Sequence, residues 1–499
     1  MVSQLWRLFN RRERWQLGLL FLALVLRAAL MTVGVASIMP FMSVVADRGI
    51  VRRNAYLAAV YEWFGFTSVD GFVFSLGVAV FVFIVASNAI SALTTYGIVR
   101  FSSGMNHRLS VRLMAGYLSQ PYSFFVQRNS AKLHKTLLGE VSSVLSGVII
   151  PILDVGSRVL MVAALLLLIV FIDPVLASVT AGVLGSVYGI LYLMIKRRQR
   201  QLGQERVIAN ELRYKASAEA FGGIKDVKIL QREKAFLDRF KPASWQYLST
   251  TASNSLISQL PNYLLDSIAF GGIILVVLYY LREGGGVVEI LPVISLYALA
   301  GYRLMPEVKK LFSDFSKVRF HRAALDDFLE DYTCLPSAPE SDGAARLPFA
   351  REIKFRDVTF RYPEAAMPAL DRVSLRIQRN QTVGLVGASG SGKTTLVDLL
   401  LGLYEPDEGR ILVDGVPVDH QTLSAWRRQI GYVPQHIFLT DDSIAANIAF
   451  GVPPRKADHG LVERAARIAH LHEFITTLPA GYETVVGESG VRLSGGQRQ

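Results

Sequence analysis

Six apolar runs, each near the ~20 residues that a bilayer-spanning helix needs, lie before residue 320 of this 499-residue chain. They fall near 16–46, 72–99, 144–172, 174–195, 256–281 and 287–306. A segment inside lipid must satisfy its own backbone, and a helix does so internally. The composition agrees: 51% of residues are apolar and 19% are charged, against about 25% charged in ordinary soluble domains. The apolar excess ends before residue 320. The expected organisation is a transmembrane domain over 1–330, a linker over 331–350 and a soluble domain over 351–499.

The net charge of +12 reads as membrane orientation. Residues 1–15 hold four Arg and one Glu, 100–135 hold six Lys/Arg and no acid, and 196–241 hold thirteen Lys/Arg against six acids. The segment 47–71 between them carries three charges of each sign. Basic loops alternating with neutral ones put both termini in the cytoplasm. The basic residues flank apolar runs and form no stripe interleaved with aromatics, so no nucleic-acid partner is expected. Cys334 is the single cysteine, which excludes an internal disulfide and any CxxC pair.

From Pro174 to Ala220 there is no further proline and little turn chemistry, and the stretch 72–118 behaves similarly. Both predict helices that project far beyond the membrane, with short crossings near 121–129 and 219–230. Apolar residues at helical spacing over 50–64 suit a short helix lying on the outer leaflet, with a plain extracellular loop as the alternative. Charges within the spans are functional candidates because lipid makes them costly. They are Arg27, Asp154, Arg158, Asp266 and Arg303. Asp154 and Arg158 are one helical turn apart and are expected to neutralise each other. Arg303, then Arg27, are the candidates for a cavity that receives an anionic headgroup.

Past the linker the hydrophobic period changes. The stretch 352–362 alternates as a strand, and 381–387 (QTVGLVG) reads as a parallel strand. It leads into Gly387-Ala388-Ser389-Gly390-Ser391-Gly392-Lys393-Thr394, with a helix expected from 394 to 402. Glycines let backbone N–H groups turn inward around phosphate, and the helix N-terminus adds its dipole. Lys393 is placed to reach the β- and γ-phosphates of ATP, and the Thr394 hydroxyl to bind Mg²⁺, with Thr395 beside it. Tyr362, at a strand end, offers a ring to adenine. Gln435, after an expected strand at 430–434, offers an amide to Mg²⁺ or to the attacking water. A second corner, Leu493-Ser494-Gly495-Gly496-Gln497, begins 106 residues after Gly387. One nucleotide does not need two such cradles from one chain, so the second points to the ATP of a partner.

Tyr362, the phosphate loop, Gln435 and LSGGQ, in this order, resemble the ATPase domain of ABC transporters. With six spans ahead of it, the chain resembles an exporter-type ABC half-transporter: a six-helix transmembrane bundle followed by an α/β P-loop domain. The resemblance implies a homodimer, or a heterodimer with a second half-transporter, holding two ATP between opposed loops. It also implies coupling helices at the inner crossings, touched by Gln435 and 483–490. MPF at 39–41, YRLMP at 302–306, and the stretches 397–415 and 430–451 look similar to bacterial lipid-linked oligosaccharide flippases, which implies a bacterial inner membrane. The fifth span departs from that pattern, offering Asn262 after Pro261 where more arginines would suit a pyrophosphate headgroup.

The expected function is ATP-driven flipping of a lipid-linked oligosaccharide or similar amphipathic glycolipid. The alternatives are export of a peptide, drug or lipid A-type molecule, and an ATPase-inactive regulatory subunit. The family's Walker B aspartate, catalytic glutamate and switch histidine have no counterpart before Gln499, so no catalytic base is assigned. The sequence is therefore expected to be C-terminally truncated.

Overall fold

The structure is a computed structural model. It describes residue 6 and residues 9–499 apart from 173, 283–286, 335–346, 364, 436 and 488–489. Side chains are further described except at 35, 39, 168–169, 171–172, 175–177, 179–181, 183–184, 269–270, 272–273, 275–277, 279–282, 287–300, 303 and 334. The chain divides into two compact units, Met1–Glu340 and Ser341–Gln499.

The first unit is helical. Its long elements are α1 (Arg11–Ala36), α2 (Val69–Leu118), α3 (Ile150–Ile172), α4 (Pro174–Gly222), α5 (Glu233–Arg282) and α6 (Val287–Phe320), followed by α7 (Arg322–Cys334). Helices α2 and α5 have 50 residues each and α4 has 49. At ~1.5 Å per residue each is about 75 Å long, against a hydrocarbon core of ~30 Å. Short helices Tyr122–Gln127 and Ile224–Ile229 stand where the inner crossings are expected. Among the described residues, Arg11–Gly34, Val69–Leu118 and Ser130–Leu167 contain stretches apolar enough to cross a membrane. The expected helix over 50–64 is two pieces, Ile50–Arg53 and Ala55–Trp63. The break is at Asn54, whose side chain accepts from the Tyr56 and Leu57 N–H groups at 3.0 and 3.3 Å.

Packing in this unit is apolar near one end and polar in the middle of the helix extensions. Ala28 and Met31 of α1, Met161 and Leu165 of α3, Leu265 of α5 and Leu304 of α6 form one core. Leu109 and Leu113 of α2, Val144 and Val148, and Phe328 of α7 form another. In this second core, each Leu or Phe removed from water contributes roughly 1.5–3 kcal/mol, whereas helices packed within lipid gain by close contact instead. Helix leading into α3 carries two π-helical turns, Lys135–Glu140 and Leu145–Ile149. The first delivers Glu140 to α4, where Arg206 Nη1 stands 3.5 Å from it and Asn210 Nδ2 donates to it at 3.1 Å. Arg206 also donates to Ser143 Oγ at 2.9 Å and lies over the rings of Tyr247 and Phe320. Glu140 and Arg206 are only 1% and 3% exposed. Two glycines admit the α6–α7 corner into this layer. A Cβ on Gly203 would strike the Phe320 carbonyl, and one on Gly147 would strike the His321 ring. Burial, with Arg206 and Lys317 adding repulsion, pushes His321 down to about 4, so its ring is neutral.

The second unit holds an antiparallel sheet in the order β2-β1-β3-β4, with β1 Glu352–Phe360, β2 Leu370–Gln378, β3 Glu408–Val413 and β4 Val416–Pro417. Ile353, Phe355, Val358 and Phe360 of β1 face a core shared with Ile411, Val413 and Trp426. Helix α8 (Lys393–Leu400) joins that core through Leu399, which seats the phosphate loop against the sheet. The parallel strands expected at 381–387 and 430–434 are not formed. Neither segment pairs with a strand, and neither lies in the sheet. Val386 is 98% exposed, and Leu385 and Val433 are exposed too. Their apolar, β-branched composition favours a strand, but a strand exists only where a neighbour takes its hydrogen bonds.

Candidate nucleotide site

The loop from Gly387 to Thr394 has the local geometry that its glycines permit. Gly390 and Gly392 have φ of +80° and +86°, in the left-handed region. At Gly392 a side chain is excluded twice over, since a Cβ would lie 2.7 Å from the Ala369 carbonyl oxygen. Gly392 caps α8 without a side-chain acceptor. The first-turn N–H groups of α8 are therefore oriented for an external anion. Lys393 Nζ donates to the carbonyl oxygens of Gly387 and Ala388 at 2.9 and 2.7 Å, with Ser391 Oγ at 3.4 Å. The ammonium thus folds back onto its own loop, held by Gly387, Ala388 and Ser391.

The two threonines part company. Thr394 is exposed, while Thr395 is 5% exposed and its hydroxyl lies 3.0 Å from the Tyr362 hydroxyl. Thr395 therefore anchors Tyr362 rather than facing the loop mouth. Phe360 and Tyr404 pack edge-on against the Tyr362 ring, with centroids at 5.0 and 5.5 Å. Tyr404 is a support that no sequence motif marks. Gln435 is exposed at a bend, and among the described residues no hydrogen bond joins it to the loop. The Thr394 hydroxyl and the Gln435 amide are hard oxygen donors of the kind Mg²⁺ takes. Among the described residues no cluster of three or more His, Cys, Asp or Glu could hold a metal alone. The donor set thus fits an ion carried mainly by phosphates.

The second corner is shaped by its own residues. Leu493 packs beside the buried cluster of Ile444, Ala466, Ile475 and Val486. Ser494 caps the short helix α9 (Gly495–Arg498). Its Oγ accepts from the Gln497 N–H at 3.3 Å, and its own N–H donates to Gln497 Oε1 at 2.9 Å. This reciprocal capping box gives Gln497 a definite task, legible in the Ser-x-x-Gln spacing. Gly495 and Gly496 stay exposed, with nothing within 4 Å of a Cβ on either. Their bare backbone can approach a phosphate closely.

In the helical unit, four of the five charges noted within the spans are paired. Arg158 pairs with Asp154 at 3.5 Å, with Asp314 at 3.1 Å and closely with Glu307. Arg27 lies 3.9 Å from Glu307, and Lys317 lies 3.4 Å from Asp314. Asp266 pairs with Lys309. The Asp154–Arg158 pair was legible at one-turn spacing. Its ties to Glu307 and Asp314 were not, because they join positions more than 140 residues apart. The Arg27 guanidinium is drawn into this cluster, while the Arg303 side chain lies outside the described residues.

Comparison with known proteins places both units. Residues 17–300 match the family model of the ABC transporter transmembrane region, and residues 370–499 match that of ABC transporters. An ATP-dependent lipid A-core flippase of Cupriavidus metallidurans is 33% identical over 415 residues, covering 81% of this chain and 68% of that protein. One from Burkholderia orbicola is 33% identical over 389 residues, covering 76% and 63%. The chain thus spans about two thirds of the length of these relatives. In three dimensions it resembles a bacterial Atm1-family ABC exporter solved with ATP bound, with a TM-score of 0.75 at 21% identity over 98% of this chain and 83% of that one. A membrane-spanning helical unit followed by a phosphate-loop domain, each matching its own family model, makes this chain a member of the ABC transporter family.

Proposed function

We propose that the chain is half of an ATP-driven exporter that moves a lipid A-type glycolipid across a bacterial inner membrane. The observation that carries the ATP-driven part is the pair of anion corners, Gly387–Thr394 and Ser494–Gly496, in a chain with a membrane-spanning unit. Two chains, identical or related, would each offer the first corner to one ATP and the second to the other. Lys393 holds the β- and γ-phosphates, and Tyr362 stacks its ring on adenine. Ser494 and the bare N–H groups of Gly495 and Gly496 reach the partner's γ-phosphate. Thr394 and Gln435 hold Mg²⁺, which neutralises phosphate charge when bound. The basic loops place both termini in the cytoplasm.

The substrate class rests on the relatives' names, which favour the lipid A-type alternative over a lipid-linked oligosaccharide. With Arg27 paired to Glu307, contact with an anionic headgroup falls first to Arg303. The test uses the full-length transporter in proteoliposomes, comparing ATPase stimulation by lipid A with that by a polyprenyl-diphosphate sugar. Several-fold stimulation by lipid A and little by the other is expected. The reverse order would restore the oligosaccharide reading, and no response to either would favour a regulatory subunit.

A further inference from the structure

Helices α1 and α2 run antiparallel and leave a groove of about 430 Å³ between them, within the ~300–1,000 Å³ of small-molecule clefts. Its walls change character along the helix axes. At one end Glu13 is already satisfied, paired with Arg108 and accepting the Asn10 N–H at 2.9 Å. Next come Gln16 and Arg100, both exposed. Arg100 has no ion-pair partner among the described residues. Beyond them lie Leu19, Leu20 and Tyr96, with Leu19 and Tyr96 60% and 68% exposed. Gly104 leaves the polar part open, since a Cβ there would meet nothing within 4 Å.

That order, a lone cation and an amide followed by apolar wall, matches a phospholipid entering from the bilayer side. The level also fits. Trp15 is 73% exposed beside Arg11, Arg12 and Arg14, as interfacial aromatics and cations are at a membrane boundary. A cation held between two spanning helices at that boundary suits an anionic headgroup. With Glu13 neutralised by Arg108, Arg100 leaves the groove with net positive charge. A neutral or zwitterionic occupant would gain less there.

We propose that this groove binds an anionic phospholipid, its phosphate on Arg100 and Gln16 and one acyl chain along Leu19, Leu20 and Tyr96. The inference does not depend on what is transported. It rests on the proposed orientation only in placing the lipid in the cytoplasmic leaflet.

Native mass spectrometry of the purified full-length protein, titrated with phosphatidylglycerol or phosphatidylcholine, tests it. One phosphatidylglycerol should bind preferentially. Arg100→Gln should weaken it about tenfold, the loss of one charge-assisted contact. Arg100→Lys should retain most of the binding. Gly104→Leu, which fills the groove and keeps the charge, should weaken it similarly. Unchanged ATP binding in each variant will show that the fold is intact. Equal binding of phosphatidylcholine, or wild-type affinity in both Arg100→Gln and Gly104→Leu, would overturn the proposal. So would disulfide crosslinking of a Gly104→Cys chain to a second copy, which would make the groove a subunit contact. Full competition by glycerophosphoglycerol, which has no acyl chains, would overturn the chain-binding part.

Discussion

Lys393→Ala is expected to lower ATP turnover of the intact transporter by about two to three orders of magnitude, the usual effect of removing a group aimed at developing charge. Among the described residues, the ammonium contacts carbonyl oxygens of its own loop and Ser391 Oγ. Those acceptors are exposed, so water replaces the lysine at little cost. The variant should therefore fold with a thermal midpoint close to wild type while losing phosphate release and much of its ATP affinity. Phosphate release and equilibrium binding of labelled ATP, measured on one preparation, check both halves.

The second large effect is structural. Glu140→Ala strands the Arg206 guanidinium in the interior of the helix extensions, where it is 3% exposed. Breaking a buried ion pair from one side costs about 3–5 kcal/mol, because the remaining charge keeps its desolvation penalty. Asn210 loses an acceptor as well. The detergent-solubilised protein should melt far earlier than wild type. The double variant Glu140→Leu with Arg206→Met should recover much of the loss, since both charges are then gone. A double variant as unstable as Glu140→Ala would mean that the network is needed for packing geometry rather than charge balance.

What the sequence shows and what it hides divide along physical lines. The phosphate loop and LSGGQ are legible because their chemistry is local. Turn, glycine and helix start lie within eight residues, and the capping box spans four. The long extensions of α2 and α4 are legible because no proline interrupts 72–118 or 175–220, whereas α5 runs unbroken through Pro242 and Pro261. The pairing of Arg158 with Glu307 and Asp314 is not legible, since nothing near Arg158 names a residue on another helix. Gly147 and Gly203 read as ordinary helical glycines until the α6–α7 corner packs against them. The segments 381–387 and 430–434 have the composition of strands, but whether one forms depends on a neighbour and not on the segment. Thr395 shows the same limit at the site. Its spacing suggests phosphate or metal, and only the fold turns it toward Tyr362.

The proposed arrangement of ATP between two chains makes a demand that no single variant tests. A chain carrying Lys393→Ala loses its own phosphate loop. A chain carrying Gly495→Asp sets a carboxylate against the partner's phosphates without a steric clash, since a Cβ at Gly495 meets nothing within 4 Å. Each homodimer should be unable to retain ATP at either site. Mixing the two chains gathers both lesions at one site and leaves the other whole. The measurement is ATP retained by purified mixed dimers. Recovery of one nucleotide per mixed dimer is the predicted result. Mixed dimers as empty as their parents would mean that each ATP is held within one chain, and would contradict the account.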